Sequence, residues 1–257
     1  MLYEQWGCLR CEGVEWVATS GLVEGLRLIK DGGEVAAIER AIWVAEEAFR
    51  RVRPLVRPGV SELWVANELE CVMRGLGAAG GAFETIVLFG ERGSLPHGGP
   101  SERVLGVGEP VLVDWGARVG LYNSDLTRVL VPSKMSGRFE RVYEVVRGAQ
   151  AAALGAVRSG MGVAELDGVA RGRIARAGLG RWFRHGLGHG VGMEIHEGPT
   201  LSAVGKGVLR PGMVFTVEPG VYVPGWGGVR IEDMVLLTRR GPRVLTGLGG
   251  RQLLSDE

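Results

Sequence analysis

Apolar residues that recur at helical spacing predict four long helices, at about 34–52, 61–75, 138–158 and 162–178. Pro54 ends the first of them, because proline cannot continue a helix. Ser61 stands where an N-cap residue is expected, at the start of the second helix, and Ser136 precedes the third helix. Residues 1–28 show no clear period.

Short apolar segments that favour strands follow each pair of helices. The first group lies at 83–89, 110–118 and 121–131, and the second at 183–200, 212–223, 228–238 and 243–248. The order helix, helix, strands therefore occurs twice, as a repetition of pattern and not of sequence. Because helices and strands come in blocks, we predict an α+β fold in which two similar halves enclose one cleft.

Composition narrows the class of protein. Hydrophobic residues make up 46% of the chain, charged residues 23%, and the formal net charge is +1. This balance gives no electrostatic reason to expect nucleic acid or an anionic membrane as a partner. No apolar run approaches the ~20 residues of a membrane span, and the N-terminus lacks a signal-peptide pattern. We expect a cytoplasmic protein.

The three cysteines argue against a disulfide framework, since their number is odd. Cys8 and Cys11 form a lone CxxC without the second pair that a structural zinc site needs. Cys71 falls within the second predicted helix, and we expect it in the core.

Four acidic residues interrupt apolar strand segments. Asp114 and Asp125 are eleven residues apart in the first group, and Glu218 and Glu232 are fourteen apart in the second. A carboxylate buried in such a segment is costly unless it is neutralised. If the halves face each other, the four carboxylates converge, and two divalent metal ions would supply the positive charge they need.

Each acid also has a structural interpretation. The two aspartates have turn-forming or strand-edge contexts, and Glu218 precedes Pro219-Gly220 at a strand end. Glu232 has a salt-bridge partner within reach in Arg230. For all four acids to have only structural roles, however, four such coincidences would have to occur around one histidine cluster.

Three of the four histidines lie in residues 183–200, "FRHGLGHGVGMEIHEGPT", at positions 185, 189 and 196. Glycine takes every second place from Gly186 to Gly192, which disfavours a helix. As extended chain, His185 and His189 share one face, and the bare glycine face lets another strand or a substrate approach closely. His196 has the opposite parity and needs a bend to join them, and His97 stands in "SLPHGGP".

The sequence does not support other catalytic fingerprints. HExxH, GxSxG and GxxxxGK[ST] do not occur, and the stretch "GLGHGVG" does not satisfy GxGxxG in any register. This disfavours a helix-borne zinc protease, an α/β-hydrolase, a phosphate loop and a dinucleotide site.

Five local motifs resemble the metal-ligand motifs of the pita-bread metallopeptidases, the family of methionine aminopeptidases, Xaa-Pro aminopeptidases and Xaa-Pro dipeptidases. They are Asp114 in "VDWGA", Asp125 in "SDLTR", His189 in "GHGVG", Glu218 in "VEPG" and Glu232 in "RIED". The resemblance covers about residues 25–250. It implies a pita-bread fold in which Asp114 binds one metal, His189 and Glu218 bind the other, and Asp125 and Glu232 bridge both. Oxygen donors with one nitrogen suit Mn²⁺, Co²⁺, Fe²⁺ or Zn²⁺.

The same resemblance assigns the remaining site residues. His97 and His196 would contact the substrate and stabilise the developing oxyanion, and His185 would lie near the product-side pocket. Arg230 would orient Glu232 or reach the substrate, with a structural salt bridge as the alternative. Glu218 would shuttle the proton, and Thr127 and Thr216 resemble residues that fix the metal ligands.

The flanking residues are similar to the Xaa-Pro branch, as in "RHGLGHGVGMEIHEGP" and "VRIED". We therefore expect a dinuclear exopeptidase that hydrolyses the N-terminal Xaa-Pro bond of short peptides. Its catalytic domain would be residues 29–257, with 1–28 an N-terminal segment or the remnant of a domain that this branch usually carries. A methionine-type or general aminopeptidase and a non-catalytic peptide binder remain alternatives, and a homodimer stays open.

Overall fold

The structure is a computed structural model that describes residues 13–249 and 251–254. Cys8 and Cys11 lie outside these residues. The described helices are α1 (Leu22–Arg27), α2 (Gly32–Val52), α3 (Glu62–Gly75), α4 (Gly137–Ala156) and α5 (Val163–Arg176). The four long predicted helices are confirmed, whereas the short helix α1 was not predicted. None of its residues is buried, so no apolar face repeats at helical spacing in this segment.

Side-chain caps fix where the long helices begin. Asp31 forms a capping box with Glu34 at the start of α2. The Ser61 hydroxyl accepts a hydrogen bond from the Trp64 backbone N–H at 3.1 Å, and Ser136 caps α4 in the same way. The predicted cap at Ser61 is confirmed, and the structure adds the cap at Ser136.

Two larger sheets carry most of the strands, one in each half. The first sheet has the order β14-β6-β3-β2, from β2 (Ile86–Phe89), β3 (Val111–Trp115), β6 (Leu126–Val131) and β14 (Gln252–Leu253). The second has the order β13-β12-β9-β7-β8, from β7 (Gly188–Gly190), β8 (Glu197–Leu201), β9 (Val214–Val217), β12 (Asp233–Thr238) and β13 (Gly241–Val244). In both sheets, the acids lie in or directly beside two antiparallel neighbours, β3 with β6 and β9 with β12.

The remaining strands form smaller pairings. β1 (Gly80–Gly81), β4 (Ala117–Val119) and β5 (Tyr122–Asn123) form a three-stranded sheet. β10 (Gly220–Val223) and β11 (Gly227–Arg230) form an antiparallel pair that follows β9.

Apolar clusters join the helices to the sheets. In the first half, side chains of α2 and α3 pack against the first sheet, where the rings of Phe49 and Trp115 stack at 4.5 Å. A second cluster combines α4 and α5 with residues of both sheets, and it therefore ties the halves together. The predicted two-half α+β architecture is confirmed. No helix in the described part of the chain is both long and apolar enough to cross a membrane.

One core prediction is wrong. Cys71 is exposed, because the buried face of α3 is set by Val65, Leu69 and Met73, and Cys71 points to the opposite side. The same face buries Glu62, a carboxylate that the helical pattern did not single out.

Candidate metal centre

The acids of the first half lie on adjoining strands. Asp114 is part of β3, and Asp125 stands directly before β6. Because β3 pairs antiparallel with β6, with Asp114 opposite Thr127, the two carboxylates belong to one end of the sheet. Both residues are buried.

The second half repeats this arrangement. Glu218 directly follows β9, and Glu232 directly precedes β12, its antiparallel neighbour. His189 lies in the middle of β7, on the other side of β9. Each half therefore places its two acids in or directly beside two neighbouring strands, as the sequence predicted.

The two halves meet at His189. Its Nε2 atom lies 3.4 Å from Asp125 Oδ2 and 3.4 Å from Glu218 Oε1. One potential ligand atom from each of Asp125, His189 and Glu232 lies within 4.8 Å of the other two. Asp114 lies beside this group and is bound by Arg230. The structure thus brings all five predicted ligands into one region.

Glycines allow β7 to reach its place between β8 and β9. A Cβ atom on Gly188 would lie 2.1 Å from the Thr216 carbonyl oxygen, and one on Gly190 would lie 1.9 Å from the Gly198 carbonyl oxygen. No side chain fits at such distances. The close approach predicted for the bare glycine face is present, although the strand is shorter than residues 183–200.

Burial raises the pKa of all four carboxyl groups. The pKa of Glu218 rises from an ordinary value of 4.5 to about 7. The pKa values of Asp125 and Glu232 lie well above their usual range, because both groups are buried and the neighbouring carboxylates repel them. For Asp114, burial raises the pKa while the Arg230 guanidinium opposes the change.

Arg230 pairs with Asp114 and not with Glu232. It donates from Nη2 to Asp114 Oδ2, from Nε to Thr127 Oγ1 at 2.9 Å, and from Nη1 to the Tyr222 hydroxyl at 2.7 Å. Thr127 in turn donates to Glu232 Oε2 at 2.7 Å. Arg230 therefore reaches Glu232 through a threonine, and the direct salt bridge considered from the sequence is replaced by this link.

The second predicted threonine has a matching position. Thr216 Oγ1 donates to Glu218 Oε1 at 3.1 Å and accepts from the His189 backbone N–H at 3.1 Å. One hydroxyl thus fixes both the imidazole-bearing strand and a carboxylate.

A cavity of about 470 Å³ opens above these groups. All five candidate ligands line it, together with His97, His185, His196 and Arg230. A register shift in the pairing of β7 with β8 and a bend after it bring His196 back to His189, with ring centroids 4.2 Å apart. The bend that the parity of His196 requires is therefore present.

Both ring nitrogens of His185 are engaged. Nδ1 contacts the Gly186 carbonyl oxygen at 2.7 Å, so it carries the proton, and Nε2 accepts from the Tyr222 hydroxyl at 2.9 Å. Burial lowers the pKa of His185 to about 4, which keeps the ring neutral. Tyr222 links His185 to Arg230, and the sequence reasoning missed it because its only signal was a tyrosine in an apolar strand.

Unpaired buried oxygens test whether a cation fits here. Asp114 Oδ1 and Glu232 Oε1 are buried and lack a hydrogen-bond partner in the described structure. Arg230 is the one lysine or arginine among the described residues that line the cavity. Burial also lowers the pKa of His189 to about 4, which leaves a neutral imidazole able to bind a metal. Carboxylates and a neutral imidazole are donors that fit divalent cations.

Comparisons with known proteins agree with this fit. The metallopeptidase family M24 matches residues 36–239. The peptidase YqhT of Bacillus subtilis is 44% identical over 90% of this chain and 66% of its own length. The chain thus spans about two thirds of the length of the curated relatives it matches.

Solved structures show the same similarity. An Xaa-Pro dipeptidase from Bacillus anthracis superposes with a TM-score of 0.94 and 41% identity over 99% of this chain and 72% of that one. An X-Pro aminopeptidase from Thermotoga maritima superposes with a TM-score of 0.90 and 40% identity. The match covers 93% of this chain and 68% of that one. These neighbours confirm the pita-bread fold, and metal binding is implied by the family. Because the family match covers most of the chain, the protein belongs to metallopeptidase family M24.

Proposed function

We propose that this protein is a dinuclear metal-dependent exopeptidase that hydrolyses the bond between an N-terminal residue and proline in short peptides. One observation carries the proposal. Four buried carboxylates from two strand pairs converge with a neutral imidazole at a cavity, and two of their oxygens lack a partner in the described structure. The family and the names of its structural neighbours, an Xaa-Pro dipeptidase and an X-Pro aminopeptidase, support it.

Five residues would hold two divalent ions, taken from Mn²⁺, Co²⁺, Zn²⁺ or Fe²⁺. Asp114 would bind one ion, His189 and Glu218 the other, and Asp125 and Glu232 both. When bound, the ions supply positive charge that lowers the pKa of a water molecule and stabilises negative charge on a peptide carbonyl oxygen. We assign residues 29–257 to the catalytic unit.

The histidines that are not ligands would bind substrate. His97 belongs to the loop after β2, and His196 to the bend before β8, so each half contributes one ring to the cavity. We assign to both the donation of hydrogen bonds to the scissile carbonyl group or the adjacent backbone. His185 would contribute a packing surface, since both of its ring nitrogens are occupied.

Glu218 would move the proton. Its side chain is 15% exposed, against 7% for Asp125, so it keeps more contact with the cavity. A carboxylate beside the attacking water can take up its proton and deliver it to the leaving nitrogen. The Thr216 hydroxyl would hold Glu218 Oε1 in place during this transfer.

The cavity also supports proline at the second position. Phe83, Ile86 and Ile195 line it beside the histidines and give part of its wall an apolar surface. Such a surface fits a pyrrolidine ring, which has no N–H group to satisfy once it is in a peptide bond.

A substrate panel tests the proposal. Protein stripped with EDTA and reloaded with each of the four metals is assayed on Ala-Pro, Ala-Pro-Ala, Ala-Ala-Ala and Met-Ala-Ala. We expect hydrolysis of the two proline peptides, and we expect Glu218→Gln to lower kcat by about 10²- to 10⁴-fold. Glu165→Gln, at an exposed surface ion pair, is the matched control and should retain activity.

Three results would contradict the proposal. Faster hydrolysis of Met-Ala-Ala than of Ala-Pro-Ala would identify a methionine-type enzyme. Near-normal turnover by Glu218→Gln would remove its assigned role. Absence of bound metal together with absence of turnover would favour a peptide binder. Light scattering on the same samples reports whether two copies associate.

A further inference from the structure

Glu62 is a fully buried carboxylate outside the candidate metal centre. It is the first residue of α3, and none of its side chain is exposed. It does not line the cavity. A buried carboxylate is costly unless hydrogen bonds compensate for its lost hydration, so its partners indicate what it holds in place.

Its partners lie at the two ends of one loop. At the start, Glu62 Oε1 accepts from the Phe89 backbone N–H at 2.8 Å and from Arg92 Nε at 3.0 Å. At the end, Oε2 accepts from the Ser101 backbone N–H at 3.0 Å and from the Ser101 hydroxyl at 2.6 Å. One carboxylate therefore closes the loop 89–101.

Arg92 strengthens this closure. It bonds both oxygens of Glu62 through Nε, and its Nη2 donates to the Gly99 carbonyl oxygen at 2.8 Å. Arg92 thus connects Glu62 to Gly99, which is two residues after His97.

The loop has two further contacts on its inner side. Gly93 packs so closely on Gly228 of β11 that a Cβ on Gly228 would lie 2.1 Å from the Gly93 carbonyl oxygen. The Pro96 carbonyl oxygen accepts from Arg230 Nη1 at 3.2 Å. These contacts tie the loop to the site, while Glu62 ties it to α3. His97 lies between them, exposed at the cavity.

We propose that Glu62 is a positioning residue for peptide hydrolysis, which holds the imidazole of His97 at the cavity by joining both ends of the loop 89–101. This inference rests on the proposed function, since His97 is assigned there to substrate. Both oxygens of Glu62 act only as hydrogen-bond acceptors. An amide in place of the carboxylate turns an N–H₂ group toward donors, so the hydrogen bonds at one end of the loop are lost and that end opens.

Glu62→Gln tests the proposal. A displacement of about 1 Å at a substrate-binding group can cost on the order of 100-fold in rate, so we expect a fall of that order in kcat/KM for Ala-Pro-Ala. In a His97→Ala background, the same change should cost less than about twofold, because its effect passes through His97. A general loss of structure would lower both backgrounds alike and would overturn the proposal.

Glu46→Gln is the matched control. Glu46 is also a buried helix carboxylate that accepts from an arginine, Arg50, and from the backbone N–H groups of Gly247 and Leu248. It does not line the cavity. We expect Glu46→Gln to lower the midpoint of thermal unfolding to a similar extent and to leave kcat/KM unchanged.

Imidazole NMR signals give a measurement that does not depend on activity. The chain has four histidines, so His→Ala variants assign their ring signals. In metal-free protein, Glu62→Gln should shift or broaden the His97 signal and leave His185 unchanged, and Glu46→Gln should change neither. An unaltered His97 signal refutes the proposal even if wild-type protein hydrolyses no peptide, whereas absence of turnover alone refutes only the proposed function. If Glu62→Gln does not fold, Arg92→Lys takes its place, because this change removes the bond to Gly99. We then expect the same fall in kcat/KM and the same change in the His97 signal.

Discussion

The pH dependence of stability in metal-free protein follows from Glu218. Burial raises its pKa from an ordinary 4.5 to about 7. An acid whose pKa is higher in the folded protein binds more protons there than in the unfolded chain, so stability falls as pH rises between the two values. At about 1.4 kcal/mol for each pH unit, the difference corresponds to about 3 kcal/mol lost between pH 4.5 and about 7.

Glu218→Gln removes this titration. We expect the EDTA-treated variant to gain on the order of 3 kcal/mol on wild type as pH rises from 5 to 8. For a chain of this size, that is a relative gain of about 6–12 °C in the midpoint of thermal unfolding. The measurement is urea and thermal unfolding at closely spaced pH values, with Glu165→Gln as the surface control.

The comparison between variant and wild type removes the Glu218 carboxylate together with its repulsion of Asp125 and Glu232. Burial lowers the pKa of His185 and His189 from an ordinary 6.5 to about 4. Their contribution to the stability of the folded protein is therefore lost as pH falls from 6.5 toward 4. Their contribution opposes that of Glu218 in wild type. Loss of the Glu218 charge also lowers the pKa of Asp125 and Glu232, which acts in the same direction as loss of the Glu218 titration. Parallel pH profiles for Glu218→Gln and wild type would refute the argument, and so would a relative gain that persists in saturating Mn²⁺, which should neutralise the carboxylate.

Four further predictions concern a metal ligand, the hydrogen-bond network, the glycine strand β7 and a helix glycine. Asp125→Asn is expected to weaken Mn²⁺ binding by at least about tenfold, measured by calorimetry on EDTA-stripped protein. Tyr222→Phe removes the hydroxyl that accepts from Arg230 and should cost about 1–2 kcal/mol in urea unfolding, and an unchanged midpoint would contradict this. Gly190→Ala places a Cβ 1.9 Å from a backbone carbonyl oxygen and should cost about 3 kcal/mol or more. Gly168→Ala, with open space on α5, should instead stabilise by about 0.5–1 kcal/mol.

The sequence predicted those features that depend on local pattern. Ser61 and Ser136 marked helix starts because a capping hydroxyl acts on the next turn of the same chain. Asp114 and Glu218 stood out because single acids interrupt apolar strands. The glycines around His189 predicted close approach, which depends on the missing side chains alone.

Features that depend on distant partners were missed. Glu62 reads as an ordinary helix residue, and its burial depends on a loop that begins 27 residues later. Arg230 stands two residues from Glu232, yet it pairs with Asp114, which is 116 residues away in sequence. Tyr222 acquires its role by lying between His185 and Arg230. In each case the partner is chosen by the packing of the two halves, and sequence spacing carries no information about it.

The strands that hold the acids explain why their repulsion persists in the fold. β3 lies between β2 and β6, and β9 lies between β12 and β7, so both are hydrogen-bonded on two sides. Moving either strand to separate the carboxylates would break those ladders, and each unpaired buried backbone group is itself costly. The repulsion therefore has two routes of relief, protonation at low pH or a bound cation at neutral pH. Because the fold blocks the third route, which is movement of the backbone, we expect binding of a cation and folding stability to be coupled in this protein.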